Sequence, residues 1–380
     1  MSWKSIRAKV TVHWTRPCPG LDPGPSQTPR LERSRLKAGT RLAGLALTML
    51  AVAAGSAMAA DDPVAGFYRG RTVQAIVGYT PGSTFEFYLR AFAPHFARHV
   101  PGNPTIVIQH MPGAGSLKAT AYLANLAPKD GSVFGIINPV NTIEPLIDPA
   151  NARFDPLAFM WLGSLNSEIS TCAFWSRDLK TLADLRRRAV VVGSTGPSSG
   201  STVDARVLAQ LIGINFKIVT SYPGLAEVRL AAERGEVDGH CGLQVSAVKS
   251  LLWDDFKAGR FSVPIQMGLR KHPDMPDVPN AYDLAASEED RALFRLNFGP
   301  WSYGRPLLAP PGTPIDRVEA LRRAFTDTLA DPQFLADAQR LNMEVQPTAP
   351  QLIEQLLAEI LRTPAPVVER ARVVLGVQNR

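Results

Sequence analysis

The sequence has almost no excess charge once its first 59 residues are set aside. That segment holds nine of the 41 Lys and Arg residues and two of the 34 Asp and Glu residues, so 41 − 9 = 32 basic and 34 − 2 = 32 acidic residues remain. The formal charge of +7 therefore belongs to the N-terminal segment. Because a nucleic-acid-binding domain depends on a basic excess, this balance argues against nucleic acid as a partner.

Long hydrophobic runs are absent beyond residue 60, where no stretch approaches the roughly 20 apolar residues of a membrane span. One uncharged run, residues 42–60, follows Arg41 and ends in Ala57-Met58-Ala59. A basic flank, an apolar stretch and a small-x-small exit are typical of a secretory signal peptide. We expect residues 1–59 to be a leader cleaved after Ala59, with an uncleaved anchor as the alternative. Residues 1–36 precede the basic flank and suggest a mis-assigned start codon.

Cysteine is scarce, with three residues in the whole chain. Cleavage after Ala59 would leave Cys172 and Cys241. In an oxidising compartment such a pair can form one disulfide. Two buried free thiols are the alternative, and the sequence leaves both open.

The sequence also lacks a complete signature for a cofactor or a metal. Gly113 and Gly115 follow a predicted strand, but Lys118 occupies the place of the third glycine of a dinucleotide-binding motif. His95 and His99 have helical i, i+4 spacing without the intervening acid of a zinc-protease motif. We therefore expect neither a cofactor nor a metal site.

One motif in the sequence leaves an enzymatic alternative open. Residues 196–200, GPSSG, match the G-x-S-x-G pattern of serine hydrolases between a predicted strand and a predicted helix. Extra loop residues separate the strand from Ser198, however, and the downstream histidines His240 and His272 lie far from the end of the chain. A secreted serine hydrolase is the less favoured alternative, and we expect no enzymatic activity.

Strand-like and helix-like segments alternate along the chain. The apolar runs 72–79, 105–111 and 133–138 are separated by helical patterns, and a second series covers residues 172–243. Pro94, inside the first helical pattern, predicts a kink or a break. This order predicts an α/β fold in which each sheet is mostly parallel and is flanked by helices. At roughly 100–200 residues per domain, the chain beyond the leader suggests two lobes.

Three loops of small residues connect a predicted strand to the following helix. The carboxyl ends of parallel strands meet at one crevice, where helix N-termini offer free N–H groups and partial positive charge to an anion. Tight turns use the same residue types, but three loops of one design favour a cleft for a small carboxylate or phosphate without arginine. The loop residues that we expect at the site are Tyr79, Thr80, Pro81, Gly82, Ser83, Gly113, Ala114, Gly115, Ser116, Ser194, Thr195, Ser199, Gly200 and Ser201.

Longer segments carry a resemblance to a known family. Residues 68–135 include YRGRTVQAIVGYTPGST and HMPGAGS, residues 220–239 read TSYPGLAEVRLAAERGEVDG, and residues 309–325 read APPGTPIDRVEALRRAF. In this order they resemble the Bug-type periplasmic substrate-binding receptors of tripartite tricarboxylate transporters, over nearly the whole mature chain.

The resemblance implies a two-lobed, type II periplasmic-binding fold that closes on a small organic acid, mostly a carboxylate. It implies a periplasmic receptor, normally a monomer, that delivers its ligand to a two-component integral-membrane permease and performs no chemistry. Presentation of the ligand to a sensor kinase is the alternative role. On this basis we expect residues 61–171 with 292–380 to form the first lobe and residues 172–291 to form the second.

The family's site motifs transfer to this sequence with one departure. The first loop of the family usually reads Pro-Gly-Gly-Gly, and an Asp opens the next helix. Here Pro81 and Gly82 match, Ser83 and Thr84 replace two glycines, and Glu86 stands in place of the Asp. The added side chains narrow the approach to a ligand. The further positions that we expect at the site are Glu86, Asn138, Tyr222, Gly224 and Asp238.

Overall fold

The computed structural model of the protein describes residues 62–197 and 199–377. The predicted leader, with its cleavage point after Ala59, lies outside these described residues, and so does Ser198 of the G-x-S-x-G pattern. The described residues belong to one unit of mutually contacting elements. Among them, no helix combines the length and the hydrophobicity that a membrane crossing needs.

Strands and helices alternate through most of the described chain. The strands are β1 Thr72–Val77, β2 Thr105–His110, β3 Val133–Ile136, β4 Met160–Ser164, β5 Ser170–Phe174, β6 Val190–Gly193, β7 Phe216–Val219, β8 Gly239–Gln244, β9 Ser262–Met267 and β10 Pro306–Ala309. The helices are α1 Pro63–Tyr68, α2 Thr84–His99, α3 Leu117–Asn125, α4 Glu144–Ile147, α5 Leu182–Leu185, α6 Gly200–Ile212, α7 Leu225–Glu233, α8 Val245–Leu251, α9 Trp253–Lys257, α10 Glu288–Phe298, α11 Ile315–Ala330, α12 Pro332–Arg340, α13 Pro350–Leu361 and α14 Ala365–Leu375. Short 3₁₀ turns include Ala114–Ser116 and Gly299–Tyr303.

The first sheet has the strand order β2–β1–β3–β10–β4. β1 pairs in parallel with β2 and β3, whereas β10 pairs antiparallel with β3 and β4. Val73, Ala75, Ile76 and Val77 of β1 are all buried. Thr72 and Gln74 are exposed, so β1 alternates at its start and is continuously buried over its last three residues, as is typical of a strand with helices on both faces.

The second sheet repeats this arrangement in the order β7–β6–β8–β5–β9. β6 pairs in parallel with β7 and β8, and β5 pairs antiparallel with β8 and β9. Both sheets are therefore mixed, whereas the sequence predicted mostly parallel ones. β5 enters the second sheet directly from β4 of the first sheet, so its direction is not set by a βαβ unit that begins within its own sheet. β10 likewise joins the first sheet after β9 of the second.

A disulfide joins the two halves of the second sheet. Cys172 of β5 lies opposite Cys241 of β8, both are fully buried, and the structure bonds their sulfur atoms. Because β8 also pairs with β6, the bridge ties the antiparallel strands to the parallel ones. Of the two states that the sequence left open, the structure has the disulfide.

α2 runs through Pro94 as one helix, so the predicted break is not present. Proline removes the N–H that would bond the carbonyl four residues earlier, which belongs to Arg90. Both Pro94 and Arg90 are exposed, so water can bond the freed carbonyl. The buried face of the helix, with Leu89, Phe92 and Phe96, keeps its packing.

Candidate ligand-binding site

Three helices begin at one cavity. α2 follows β1 and begins at Thr84, α6 follows β6 and begins at Gly200, and α7 follows β7 and begins at Leu225. Residues at the start of all three helices lie in the cavity wall. Since the first N–H groups of a helix have no intrahelical acceptor, the three N-termini concentrate hydrogen-bond donors and partial positive charge there.

The cavity is small and its wall is neutral. Its volume is about 60 Å³, and a water molecule needs roughly 10–15 Å³ on this measure, so it admits a small solute. Among the described residues of the wall, none carries a carboxylate, an ammonium or a guanidinium group. The wall consists of Tyr79, Thr80, Pro81, Gly82, Ser83, Thr84, Phe85, Asn138, Thr195, Gly200, Ser201, Gly224, Ala226, His240, Gly242, Gln244 and Trp301.

The first predicted loop lines the cavity, and Glu86 holds it from behind. The Ser83 hydroxyl caps α2 by accepting from the Glu86 N–H, and the Glu86 carboxylate accepts from the Gly82 N–H at 2.5 Å. Burial opposes ionisation of Glu86, but hydrogen bonds from Arg90 and Gly82 outweigh it and hold its pKa below the usual range. Glu86 is buried outside the cavity wall, so it positions the loop and does not face a ligand there.

Tyr79 and Asn138 form a hydrogen-bonded pair in the wall. Asn138 Nδ2 donates to the Tyr79 hydroxyl at 2.8 Å, and Asn138 Oδ1 accepts from the Val140 N–H. The Tyr79 ring stacks on Phe85 with 4.9 Å between ring centroids. Burial raises the pKa of Tyr79 to about 12, so the hydroxyl remains a neutral donor and acceptor.

The second predicted loop, residues 113–116, does not line the cavity. Gly115 has φ +64°, and a Cβ atom built there would lie 2.4 Å from Cα of Ser199. The second loop therefore packs against the loop that precedes α6. Ser116 is fully buried, and its backbone has the left-handed conformation. Its hydroxyl accepts from the Asn138 N–H at 3.4 Å. Gly115 and Ser116 thus lie buried behind the wall, and Gly113 and Ala114 are exposed outside it. Contact of these four residues with a ligand stays a prediction.

The loop before α6 divides between the wall and a buried hydroxyl cluster. Thr195, Gly200 and Ser201 line the cavity. Ser194 and Ser199 are buried behind them, and the Ser194 hydroxyl lies 2.8 Å from the hydroxyls of both Ser199 and Ser201. These hydroxyls satisfy one another, and Ser199 also caps α6 by accepting from the Thr202 N–H. Ser194 and Ser199 therefore position the loop and lie outside the cavity wall, and their predicted contact with a ligand stays a prediction.

Asp238 and Tyr222, two of the predicted site residues, lie outside the cavity wall. The Asp238 carboxylate accepts from Arg188 at 2.7 Å, from the Ser176 hydroxyl at 2.6 Å and from the Val191 N–H at 2.8 Å. Burial raises its pKa, but these bonds outweigh burial and lower it. Asp238 thus joins β6 to β8. Tyr222 packs with the apolar cluster around Val228, whereas its neighbour Gly224 does line the cavity.

Two residues of the wall, His240 and Trp301, were missed by the analysis of the loops. Trp301 is 1 % exposed, and its Nε1–H has no acceptor among the described residues. Its ring lies 3.1 Å from where a Cβ of Gly200 would stand, so a larger residue at the start of α6 would have to displace the ring. His240 follows Gly239 in β8 and is buried. A histidine inside a predicted strand, on the edge where the loops meet, was the available signal for it.

A buried ion pair lies behind the wall. Arg305 and Glu168, with side chains 0 % and 1 % exposed, approach to 3.2 Å. The Arg305 guanidinium stacks 4.4 Å from the ring centroid of Phe85, which lines the cavity, and also contacts Gln244 Oε1 at 3.5 Å. Burial raises the pKa of Glu168, and the charge of Arg305 opposes that rise. The pair joins residue 168, between β4 and β5, to residue 305, just before β10.

One group of possible metal ligands occurs among the described residues, away from the cavity. His272, Asp274 and Glu344 bring their ligand atoms within 4.8 Å of one another. The Lys249 ammonium contacts both carboxylates, at 2.6 Å from Glu344 and also against Asp274. A protein cation already compensates this acidic pair, so the geometry favours a structural ion-pair network.

The chain is similar to known proteins in sequence and in fold. No family model matches the sequence. A curated relative, the UPF0065 protein in the gbd 5′ region of Cupriavidus necator, is 22% identical over 314 residues, which are 79% of this chain and 87% of the relative.

Solved structures show the fold. The periplasmic binding protein BugD matches with a TM-score of 0.66 at 19% identity, over 82% of this chain and 99% of BugD. MatC from Rhodopseudomonas palustris with bound malate matches with a TM-score of 0.62 at 21% identity, over 80% of this chain and 99% of MatC. A second R. palustris protein with adipate gives 0.61 at 19% identity, over 80% of this chain and 97% of that one. The structural neighbours are thus Bug- and TctC-type binding proteins, and the predicted two-lobed α/β fold is confirmed.

Proposed function

We propose that the protein is a periplasmic receptor that captures a small organic acid, a carboxylate, in the cavity where α2, α6 and α7 begin. The observation that carries this proposal is the convergence of three helix N-termini on a neutral wall. Donors without charge suit an anion that must also be released, because fixed backbone N–H groups and helix dipoles stabilise a carboxylate without a salt bridge. The unpaired Nε1–H of Trp301 adds a donor that the described residues do not satisfy.

The size of the cavity supports a small ligand. The cavity, with a volume of about 60 Å³, is bordered by Ser83 and Thr84. The family that the sequence resembles usually has glycines at these two positions. MatC and the second R. palustris protein were solved with malate and adipate, which are both dicarboxylates. We infer that this chain takes an acid of similar or smaller size.

Binding would couple the two sheets. We propose lobes of residues 61–171 with 292–380 and of residues 172–291, with the ligand shifting an open–closed equilibrium toward the closed form. Only a difference in affinity between the two forms can drive such a shift. The close approach of Gly115 to Ser199 supports this role, because it places a first-sheet loop against a second-sheet loop beside the cavity.

The remaining parts of the proposal concern the cell. We propose that the leader directs export and is removed after Ala59, that the mature receptor is a monomer without a cofactor, and that it delivers its ligand to a tripartite tricarboxylate-type permease. Support comes from the charge and hydrophobicity of residues 1–59 and from the periplasmic binding proteins that share the fold. Deleting the gene should abolish uptake of the ligand. Loss of induction with intact uptake would indicate presentation to a sensor kinase instead.

Ligand binding is testable on the purified protein, unfolded and refolded to remove any retained solute. Isothermal titration with mono-, di- and tricarboxylates, amino acids and phosphate esters should give saturable binding to a small carboxylate. At a hundred times Kd the ligand should raise the free energy of unfolding by about 2.7 kcal/mol. Binding of phosphate esters or amino acids alone, or of no acid in the panel, would overturn the carboxylate assignment.

A further inference from the structure

His240 presents an acceptor to a cavity whose other features attract an acceptor-rich anion. Its Nδ1 lies 3.2 Å from the carbonyl oxygen of Gly193. A carbonyl can only accept, so Nδ1 carries the ring proton and Nε2 keeps a lone pair. Burial lowers the pKa of His240 to about 4, against the bond to Gly193, which raises it. The ring is therefore neutral near pH 7.

Two other polar side chains of the wall, Gln244 and Ser201, are engaged with the protein. Gln244 Nε2 donates to the Gly242 carbonyl at 2.8 Å, and its Oε1 faces Arg305. The Ser201 hydroxyl belongs to the cluster with Ser194 and Ser199. Within the described part of the chain, His240 has its bond to Gly193, and no protein donor meets Nε2. His240 lines the cavity, so a ligand there that supplies a donor could bond Nε2.

The chemistry of the wall decides which donor fits. An ionised carboxylate has no proton to give, so the donor must be another group of the ligand. An ammonium group would need a compensating acid, and the described wall residues include none. Three helix N-termini would also repel it. A neutral hydroxyl satisfies Nε2 without either penalty.

We propose that His240 selects a hydroxy acid, accepting at Nε2 a hydrogen bond from a hydroxyl on the carbon chain of the bound carboxylate. The helix N-termini and Trp301 hold the carboxylate itself. This inference rests on the proposed receptor function and narrows its ligand class from small carboxylates to hydroxycarboxylates.

Matched pairs of acids test the assignment by isothermal titration of the full purified protein. Malate against succinate and lactate against propionate differ by one hydroxyl, and aspartate replaces that hydroxyl with an ammonium group. We expect at least one hydroxy acid to bind about tenfold or more tightly than its partner. His240→Phe should reduce the ratio of the two affinities below about twofold, chiefly by weakening the binding of the hydroxy acid. The variant lacks the hydrogen bond at Nε2, and the loss of one hydrogen bond can lower an affinity by about tenfold. His240→Gln, which offers an oxygen near the position of Nε2, should restore part of the preference.

His272→Phe is the control, because His272 is also buried but lies outside the cavity wall. It should leave the hydroxyl preference unchanged. Equal binding of both members of each pair, tightest binding of aspartate, or equal weakening of both acids by His240→Phe would each overturn the role of His240 and leave the receptor standing. Failure of every acid to bind the unmodified protein would overturn the receptor proposal and this inference with it.

Discussion

Two loops that each contain glycine and serine and each join a strand to a helix have different roles in this molecule. Residues 79–84 line the cavity and lead into a helix of 16 residues whose first turn faces it. Residues 113–116 also join a strand to a helix, yet they lie against Ser199 and support the wall from behind. Small residues permit both a backbone that meets a ligand and a backbone that meets another backbone. The difference teaches that composition identifies close approach but not the partner that is approached.

The largest effect should come from filling the contact between the two loops. In Gly115→Leu the new side chain would meet the Ser199 backbone, so the loops could not close together. We expect acid affinity to fall at least about 100-fold, which is about 2.7 kcal/mol. Isothermal titration measures this change.

Gly70→Leu separates the contact from backbone strain, because Gly70 has φ +69° with no atom within 4 Å of an added Cβ. That control should lower stability without changing affinity. Unchanged affinity in Gly115→Leu would show that the second loop has no part in closure.

Asp238 sharpens the comparison for the second sheet, because this predicted site residue lies outside the cavity wall and is bonded within the protein. Asp238→Ala removes the acceptor of Arg188, Ser176 and the Val191 N–H, so we expect a loss of about 1–3 kcal/mol in the free energy of unfolding. Affinity for the acid should change less than twofold. Asp178→Ala is the matched control, since Asp178 also pairs with Arg188 but its side chain is 62% exposed. A larger loss of affinity than of stability in Asp238→Ala would return this residue to the site.

The strands and the fold class were largely readable from the sequence. The predicted run 105–111 agrees closely with β2 at Thr105–His110, because apolar β-branched residues between turn signals leave few alternatives. β4, β9 and β10 were missed. Pro264 interrupts the pattern of β9 and is tolerated because β9 is an edge strand.

The candidate site was only partly predictable. The loops before α2 and α6 were identified because helix starts after strands have a local signature. Whether Ser194 faces a ligand or three other hydroxyls depends on tertiary packing, which one sequence does not encode locally. Trp301 belongs to the 3₁₀ turn Gly299–Tyr303 and His240 belongs to β8, so no loop motif marks either residue.

The smallest expected effect concerns Asp204 of α6, the helix whose first turn lies at the cavity. Asp204 of α6 is fully buried and accepts from the Ser170 hydroxyl; burial raises its pKa to about 7 from an ordinary value of 3.8, against that bond. A raised pKa means that its contribution to stability is present below pH 4, roughly, and is lost as the pH rises to about 7. Thermal unfolding of the unmodified protein and of Asp204→Asn is measured across this pH range. As the pH rises, the unmodified protein should lose stability relative to Asp204→Asn. A difference that does not change with pH would contradict the assignment of this carboxyl as protonated.

The central claim is that neutral donors at convergent helix starts hold a carboxylate, and Trp301 tests it most directly. Trp301→Phe keeps an aromatic side chain, but it removes the unpaired Nε1–H together with part of the ring that lies against Gly200. Isothermal titration of the two proteins with the tightest-binding acid should show a loss of about tenfold or more, since a hydrogen bond to a charged group is worth about 1.5–3 kcal/mol. The unfolding midpoint without ligand should fall, because the smaller ring leaves a cavity in a buried position, so both proteins are titrated at a temperature where they remain folded. Equal affinity of the two proteins for the acid would contradict the account.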